Sequence, residues 1–162
     1  MNVKSVYLDS SAIVKRYVAE KGSKVIDKIY DKAENSQLKI VFSIWNIGEV
    51  IGVFDRYFRR GWLSRKQLDT RIFDFIYETI KFIKMGLLQI APLTAYELVH
   101  SWLIVVEQHI YVADAIQICT CKRFNCDLLL SADETLVEVA SNCDLFSLNV
   151  ETQEKEIYET LL

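Results

Sequence analysis

Five short apolar runs recur along this chain, with segments of helical periodicity between them. That alternation constrains the fold more than any other feature. The runs are SVYLD (5–9), LKIVFS (38–43), LLQIAPL (87–93), DLLLSA (127–132) and DLFSLNV (144–150). Between the first two, residues 11–19 read as a helix that Gly22 breaks, and residues 23–34 place Val25, Ile26, Ile29 and Tyr30 at helical spacing. Residues 45–60 read as a helix stopped by Gly61. Ser64 and Gln67 then form a capping-box pair before a long helix to about Met85, with an apolar stripe from Leu68 to Ile83. Thr94 and Glu97 open another helix, to about His109. A loop over 110–113 leads to a helix from Asp114 to Phe124, a short one from Asp133, and an acidic one from about Glu151. Strands separated by helices pair in parallel through right-handed crossovers, and a parallel sheet needs helices over both faces. The expected fold is α/β, a three-layer α/β/α sandwich around a central parallel sheet of about five strands. One domain is expected over residues 1–162.

Charge and composition narrow the function. The net charge of −3 argues against a general nucleic-acid coat, but the charge is unevenly distributed. Residues 1–93 carry 16 Lys and Arg against 10 Asp and Glu, whereas residues 94–162 carry 3 against 12. This asymmetry predicts a basic surface and an acidic face or site, unless both are simply solvated faces. No apolar run approaches the roughly 20 residues of a membrane span, and MNVKSVYLD lacks the apolar core of a signal peptide. A soluble, cytoplasmic protein with no membrane partner is expected. The four cysteines and two histidines show no zinc spacing. Cys119 and Cys121 read as small buried hydrophobes on a helix. Cys126 and Cys143 each precede an Asp-Leu strand start, so they are expected near one another at a sheet edge, within reach of a disulfide.

The chemistry points to carboxylates. In an open parallel sheet, ligands bind beyond the carboxyl ends of the strands. Asp9 lies at such an end and Asp133 follows another, while Asp114 opens a helix. Each of these has an adequate alternative role as a helix cap or a dipole partner. Glu49 sits in WNIGEVIGVF, the most apolar stretch of its helix, where an unpaired carboxylate is costly. A salt bridge would satisfy it; so would other acids with a hard cation that takes oxygen ligands. Acids gathered around a divalent cation, with no histidine nearby, suggest phosphoryl chemistry.

At these four acids the sequence resembles the PIN-domain ribonucleases, and among them the VapC-type toxins of toxin–antitoxin pairs. YLDSSAIVKRY resembles the opening motif with Asp9, and WNIGEV the second motif with Glu49. YVADAIQICTCKRFNCDLLLSADETL is similar to the long C-terminal signature, with Asp114, Asp133 and Ser131. Cys119 and Cys121 depart from it, standing where the family commonly has Ala. The resemblance implies Mg2+- or Mn2+-dependent cleavage of single-stranded or structured RNA by metal-activated water, leaving a 5′-phosphate. Asp9, Glu49 and Asp114 would be the principal catalytic metal ligands and Asp133 a more peripheral one, with Ser11 or Ser131 orienting an acid or a phosphate. Haloacid dehalogenase chemistry needs a second Asp where Ser11 stands, and a response-regulator receiver needs paired acids and a lysine that are not evident. The alternative is a non-catalytic PIN-fold module for binding or assembly.

The segment DRYFRRGWLSRK combines Arg56, Arg59, Arg60 and Trp62 in a basic, aromatic turn suited to RNA or a partner, although Phe58 and Trp62 can equally be packing residues. The surplus of large apolar residues over 45–85, with Phe54, Phe58, Trp62, Phe73 and Phe82, predicts a homodimer through that region. By resemblance, the same region would help to receive a cognate antitoxin.

Overall fold

The computed structural model describes residues 4–161. Its elements run β1 Ser5–Leu8, α1 Ser10–Val14, α2 Ser23–Glu34, β2 Lys39–Ser43, α3 Ile44–Arg59, α4 Arg65–Lys84 and β3 Leu88–Ala91. They continue with α5 Ala95–Gln108, α6 Val112–Arg123, β4 Leu128–Ser131, α7 Glu134–Asn142, β5 Ser147–Asn149 and α8 Glu154–Thr160. The five strands form one sheet in the order β3-β2-β1-β4-β5, and every pairing is parallel. This is the expected three-layer architecture.

Alternate strand residues feed two cores. Val6 and Leu8, Ile40 and Phe42, and Leu128 and Leu130 pack under α1 to α4 and α8. Tyr7, Val41 and Leu129 face the other way, with Ala115, Ile118, Leu136 and Val139 of α6 and α7. The strands are buried on both faces, which is why their sequences read as continuous apolar runs. Both expected capping boxes form, Ser64 with Gln67 and Thr94 with Glu97. A third, Ser43 with Asn46, joins β2 to α3.

Several boundaries differ from expectation. The first helix ends at Val14, well before Ala19, and Lys15 and Arg16 beyond it are drawn into tertiary ion pairs. Lys15 meets Glu20 and Glu151, and Arg16 meets Asp27 and Glu78. The helix expected from Asp114 begins two residues earlier, so Asp114 lies inside its first turn. The acidic C-terminal helix starts at Glu154.

The five large residues singled out over 45–85 divide between core and surface. Phe54 and Phe82 are fully buried and Phe58 packs against the core, leaving Trp62 and Phe73 exposed. Phe54 meets Tyr17 and Phe75 edge to face, at ring-centroid distances of 6.2 and 6.4 Å. Exposed apolar stripes lie on α4, at Phe73, Tyr77, Ile80 and Ile83, and on α5, at Leu98, Val99, Trp102, Leu103 and Val106. All four cysteines are free thiols, so Cys126 and Cys143 are not bonded; Cys119 and Cys121 are buried as expected. Among the described residues no helix is long and apolar enough to cross a membrane.

Candidate functional site

The strand order reverses direction at β1: one crossover leads to β2 on one side, and β4 lies on the other. The carboxyl edge between β1 and β4 is therefore the crevice where an open parallel sheet takes ligands. Asp9 leaves β1 at this edge and caps α1, its Oδ1 accepting the Ala12 N–H at 2.8 Å. The Ser11 hydroxyl lies 2.8 Å from both Asp9 oxygens, and Ser131 at the end of β4 donates to Oδ2 at 2.8 Å. Each serine also accepts a backbone N–H from the β4–α7 turn. Ser11 accepts from Ala132 at 2.8 Å and Ser131 from Asp133 at 2.9 Å. The two serines thus clamp Asp9 to the neighbouring strand. Burial lifts the Asp9 carboxyl to about 6, against the downward pull of the hydrogen bonds from Ala12, Ser11 and Ser131.

Glu49 is held by a second network. It accepts from the Ser10 hydroxyl, and Ser10 accepts from the Asn46 amide at 2.9 Å. Asn46 also donates to Gln117 of α6 at 2.8 Å, while its carbonyl accepts from Tyr7 at 2.9 Å and from the Ser43 backbone at 2.8 Å. Asn46 and Gln117 are buried. Sequence reasoning did not single them out. Asn46 at the third position of a helix after Ser43, and Gln117 one turn beyond Asp114, were the available signals. Glu49 lies beside the buried stripe of its helix rather than on it, since Trp45, Gly48 and Gly52 on that side are exposed. A side chain built at Gly48 or Gly52 would meet nothing within 4 Å, so the approach to this face is open.

Asp114 lies in the first turn of α6, and Asp133 caps α7, accepting the Thr135 and Leu136 N–H groups. Burial, and after it the charges of Asp133, Glu49 and Asp9 in that order, raise the Asp114 carboxyl to about 6. Asp133, Glu49 and Asp9 are thus within electrostatic reach of Asp114. None of them takes part in an ion pair among the described residues. Nor do any three acidic, histidine or cysteine side chains there stand close enough to hold a metal ion as they are. The donor set does suit a hard divalent cation, being carboxylates and hydroxyls with mutual repulsion and no basic side chain to relieve it.

Arg56, Arg59, Arg60 and Trp62 lie elsewhere. Arg56 is about 10 Å along α3 from Glu49 at the helical rise. All four are exposed. Arg59 is paired with Asp55 at 2.8 Å, and Arg60 lies 5.1 Å over the Trp62 ring.

A family model of the PIN domain matches residues 6–142. The chain belongs to the PIN domain family. Solved structures share this PIN fold at low identity. PAE2754 from Pyrobaculum aerophilum matches with a TM-score of 0.64 at 12% identity, over 98% of this chain and 92% of its own. FitAcB from Neisseria gonorrhoeae gives 0.61 at 16%, over 90% and 97%. VapC20 from Mycobacterium tuberculosis, a toxin that cleaves the sarcin-ricin loop, gives 0.56 at 12%, over 81% and 92%. No curated protein matches the chain.

Proposed function

We propose that this PIN-domain chain is a divalent-metal-dependent endoribonuclease of the VapC toxin type, a single nuclease domain over residues 1–162 acting in the cytoplasm on single-stranded or structured RNA. The observation that supports the reading is that Asp114 feels the charges of Asp133, Glu49 and Asp9, with no basic side chain paired to any of the four among the described residues. Asp9, Glu49 and Asp114 would hold Mg2+ or Mn2+, with Asp133 further out. When bound, the cation supplies Lewis acidity toward water and the scissile phosphate.

The chain's own residues set the stage. Ser11 and Ser131 fix the Asp9 carboxylate, and the Asn46–Ser10 relay fixes that of Glu49. Fixed oxygens need little reorganisation when charge develops nearby. Burial and the neighbouring acids raise the Asp114 carboxyl to about 6, a repulsion that a bound divalent cation would relieve. Cleavage leaves a 5′-phosphate. A cognate antitoxin is the proposed inhibitor, since VapBC2 from Rickettsia felis, solved bound to a promoter DNA fragment, shares the fold at a TM-score of 0.59. The exposed turn with Arg56, Arg59, Arg60 and Trp62 is the proposed contact for RNA or that partner. The chain forms a homodimer in this reading.

A second reading, a non-catalytic PIN-fold binding or assembly module, draws on one observation: Asp9 already has its hydrogen bonds filled from within the protein. One assay separates the two. Purified protein freed of inhibitor is expected to cut single-stranded RNA with Mn2+ or Mg2+ and to stop with chelator. Asp9→Asn, which keeps the cap because Asn also caps helices, is expected to lose at least a hundredfold of that activity while its thermal stability is kept or raised. Equal cleavage by Asp9→Asn and the parent would remove the assigned site.

A further inference from the structure

The two helices that supply Glu49 and Asp114 begin alike. α3 starts directly after β2 and presents Trp45 one turn ahead of Glu49, on the same side of the helix. α6 starts with Tyr111 at its cap position, one turn ahead of Asp114. Neither ring has a structural duty that explains it. Tyr111 is 71% exposed and makes no capping hydrogen bond. Trp45 is 40% exposed and belongs to neither core. Asn46, the residue after Trp45, donates to Gln117 of α6 at 2.8 Å, so α3 and α6 are held together and the two aromatic residues stand at the same end of the sheet as the acids. Beyond Trp45, the same side of α3 carries Gly48, Glu49 and Gly52, with open space above the two glycines.

Charge sharpens the point. Four carboxylates repel a phosphate backbone, and no lysine or arginine is paired with any of them among the described residues. Beyond the charge that a bound cation would supply at the scissile phosphate, a strand held against this spot gains from attraction that does not depend on basic side chains beside the acids. Stacking of bases on aromatic rings supplies it, and it is available only from bases that are not already stacked and paired in a duplex.

We propose that Trp45 and Tyr111 are base-stacking platforms beside the acids, so that the site takes RNA whose bases are unpaired and splayed out around the scissile phosphate. The proposal rests on the nuclease reading above and deepens it by naming the form of RNA that fits. Paired RNA is excluded because its base faces are occupied, and structured RNA enters only through loops or bulges.

The test measures binding apart from catalysis. In an Asp9→Asn background, fluorescence anisotropy follows a labelled single-stranded RNA, the same RNA with abasic positions, and its duplex. Trp45→Ala and Tyr111→Ala are each expected to weaken single-strand binding about tenfold. Trp45→Phe and Tyr111→Phe should restore most of it. The abasic RNA should bind the parent weakly and lose little further with either alanine variant. Thermal melts check folding, and the well-exposed Tyr111 makes its variant the safer of the two. Unchanged single-strand binding in both alanine variants overturns the proposal, as does an equal loss for intact and abasic RNA. Variants that leave RNA binding alone but change the oligomeric mass would assign the rings to a protein interface instead, which also overturns it. If wild-type protein cuts RNA with Mn2+ while these binding results fail, only the stacking proposal falls. If it neither binds nor cuts any RNA, the nuclease reading falls with it.

Discussion

Asp9 accepts from Ser11, Ser131 and the Ala12 N–H, yet burial still holds its carboxyl near 6. Asp114 is raised to about 6 as well, by burial and then by neighbouring acids. Between about pH 4 and pH 6 the folded chain retains protons at these two sites that the unfolded chain has released. Metal-free stability is therefore expected to fall as pH rises through that window and to level off above it. Thermal melts in chelator at pH 4.5 and pH 7 check this, after the contribution of all other groups is removed by comparison with the Asp9→Asn, Asp114→Asn double variant, whose melting temperature should change less. Added Mn2+ at pH 7 is expected to raise the parent's melting temperature and leave that of the double variant unmoved.

At the scale of elements, Asn46 is the junction. One buried amide ties the start of α3 to β1, α1 and α6 through Tyr7, Ser10 and Gln117. Asn46→Ala leaves the Tyr7 hydroxyl and the Gln117 amide without this partner in the interior. The expected cost is about 3 kcal/mol, measured by urea unfolding, because buried polar groups without partners are penalised individually. Ser10→Ala removes the link to Glu49 and one of the two acceptors of the Asn46 amide, leaving the rest of the junction in place. It is expected to cost about 1 kcal/mol while lowering RNA cleavage more than tenfold, a split between stability and rate that a purely structural serine would not produce.

For the whole molecule, the exposed apolar stripe of α5 is a surface that solvent tolerates poorly, as is that of α4 at Phe73, Tyr77, Ile80 and Ile83. Leu98, Val99, Trp102, Leu103 and Val106 are all exposed on one helix. Self-association is expected to cover them, because a face of this kind can meet its own copy across a two-fold axis. Leu103→Glu with Val106→Glu should convert a dimer to a monomer in light scattering at tens of micromolar, with little change in folded stability. The corresponding change at Phe73 should leave the dimer intact. A dimer unaffected by the α5 charges but lost with Phe73→Glu would put the interface back in the region first expected, residues 45–85.

The sequence by itself determined the layers of this protein and the addresses of its acids, because both are written in local signals. A strand buried on both faces must be an apolar run, a helix start carries its cap, and each acid stands at or near one of these punctuation marks. Asp9, Asp114 and Asp133 are legible for that reason, and Glu49 is legible as a charge in an apolar stretch. Tertiary structure alone decided what those residues meet. Strand order sets β1 beside β4, so Ser131 reaches across more than a hundred residues of chain to Asp9, and no periodicity encodes such a pairing. The buried amides of Asn46 and Gln117 look like ordinary polar helix residues until the α3–α6 contact exists. Phe54 and Phe82 read as surplus along one helix pair, yet the rings of Tyr17 and Tyr30 lie within aromatic contact of them. The first helix ends before Lys15 and Arg16, whose charges meet Glu151 and Glu78 far along the chain. In each case the deciding interaction is non-local, and the local pattern carries only the residue that makes it, not the one that receives it.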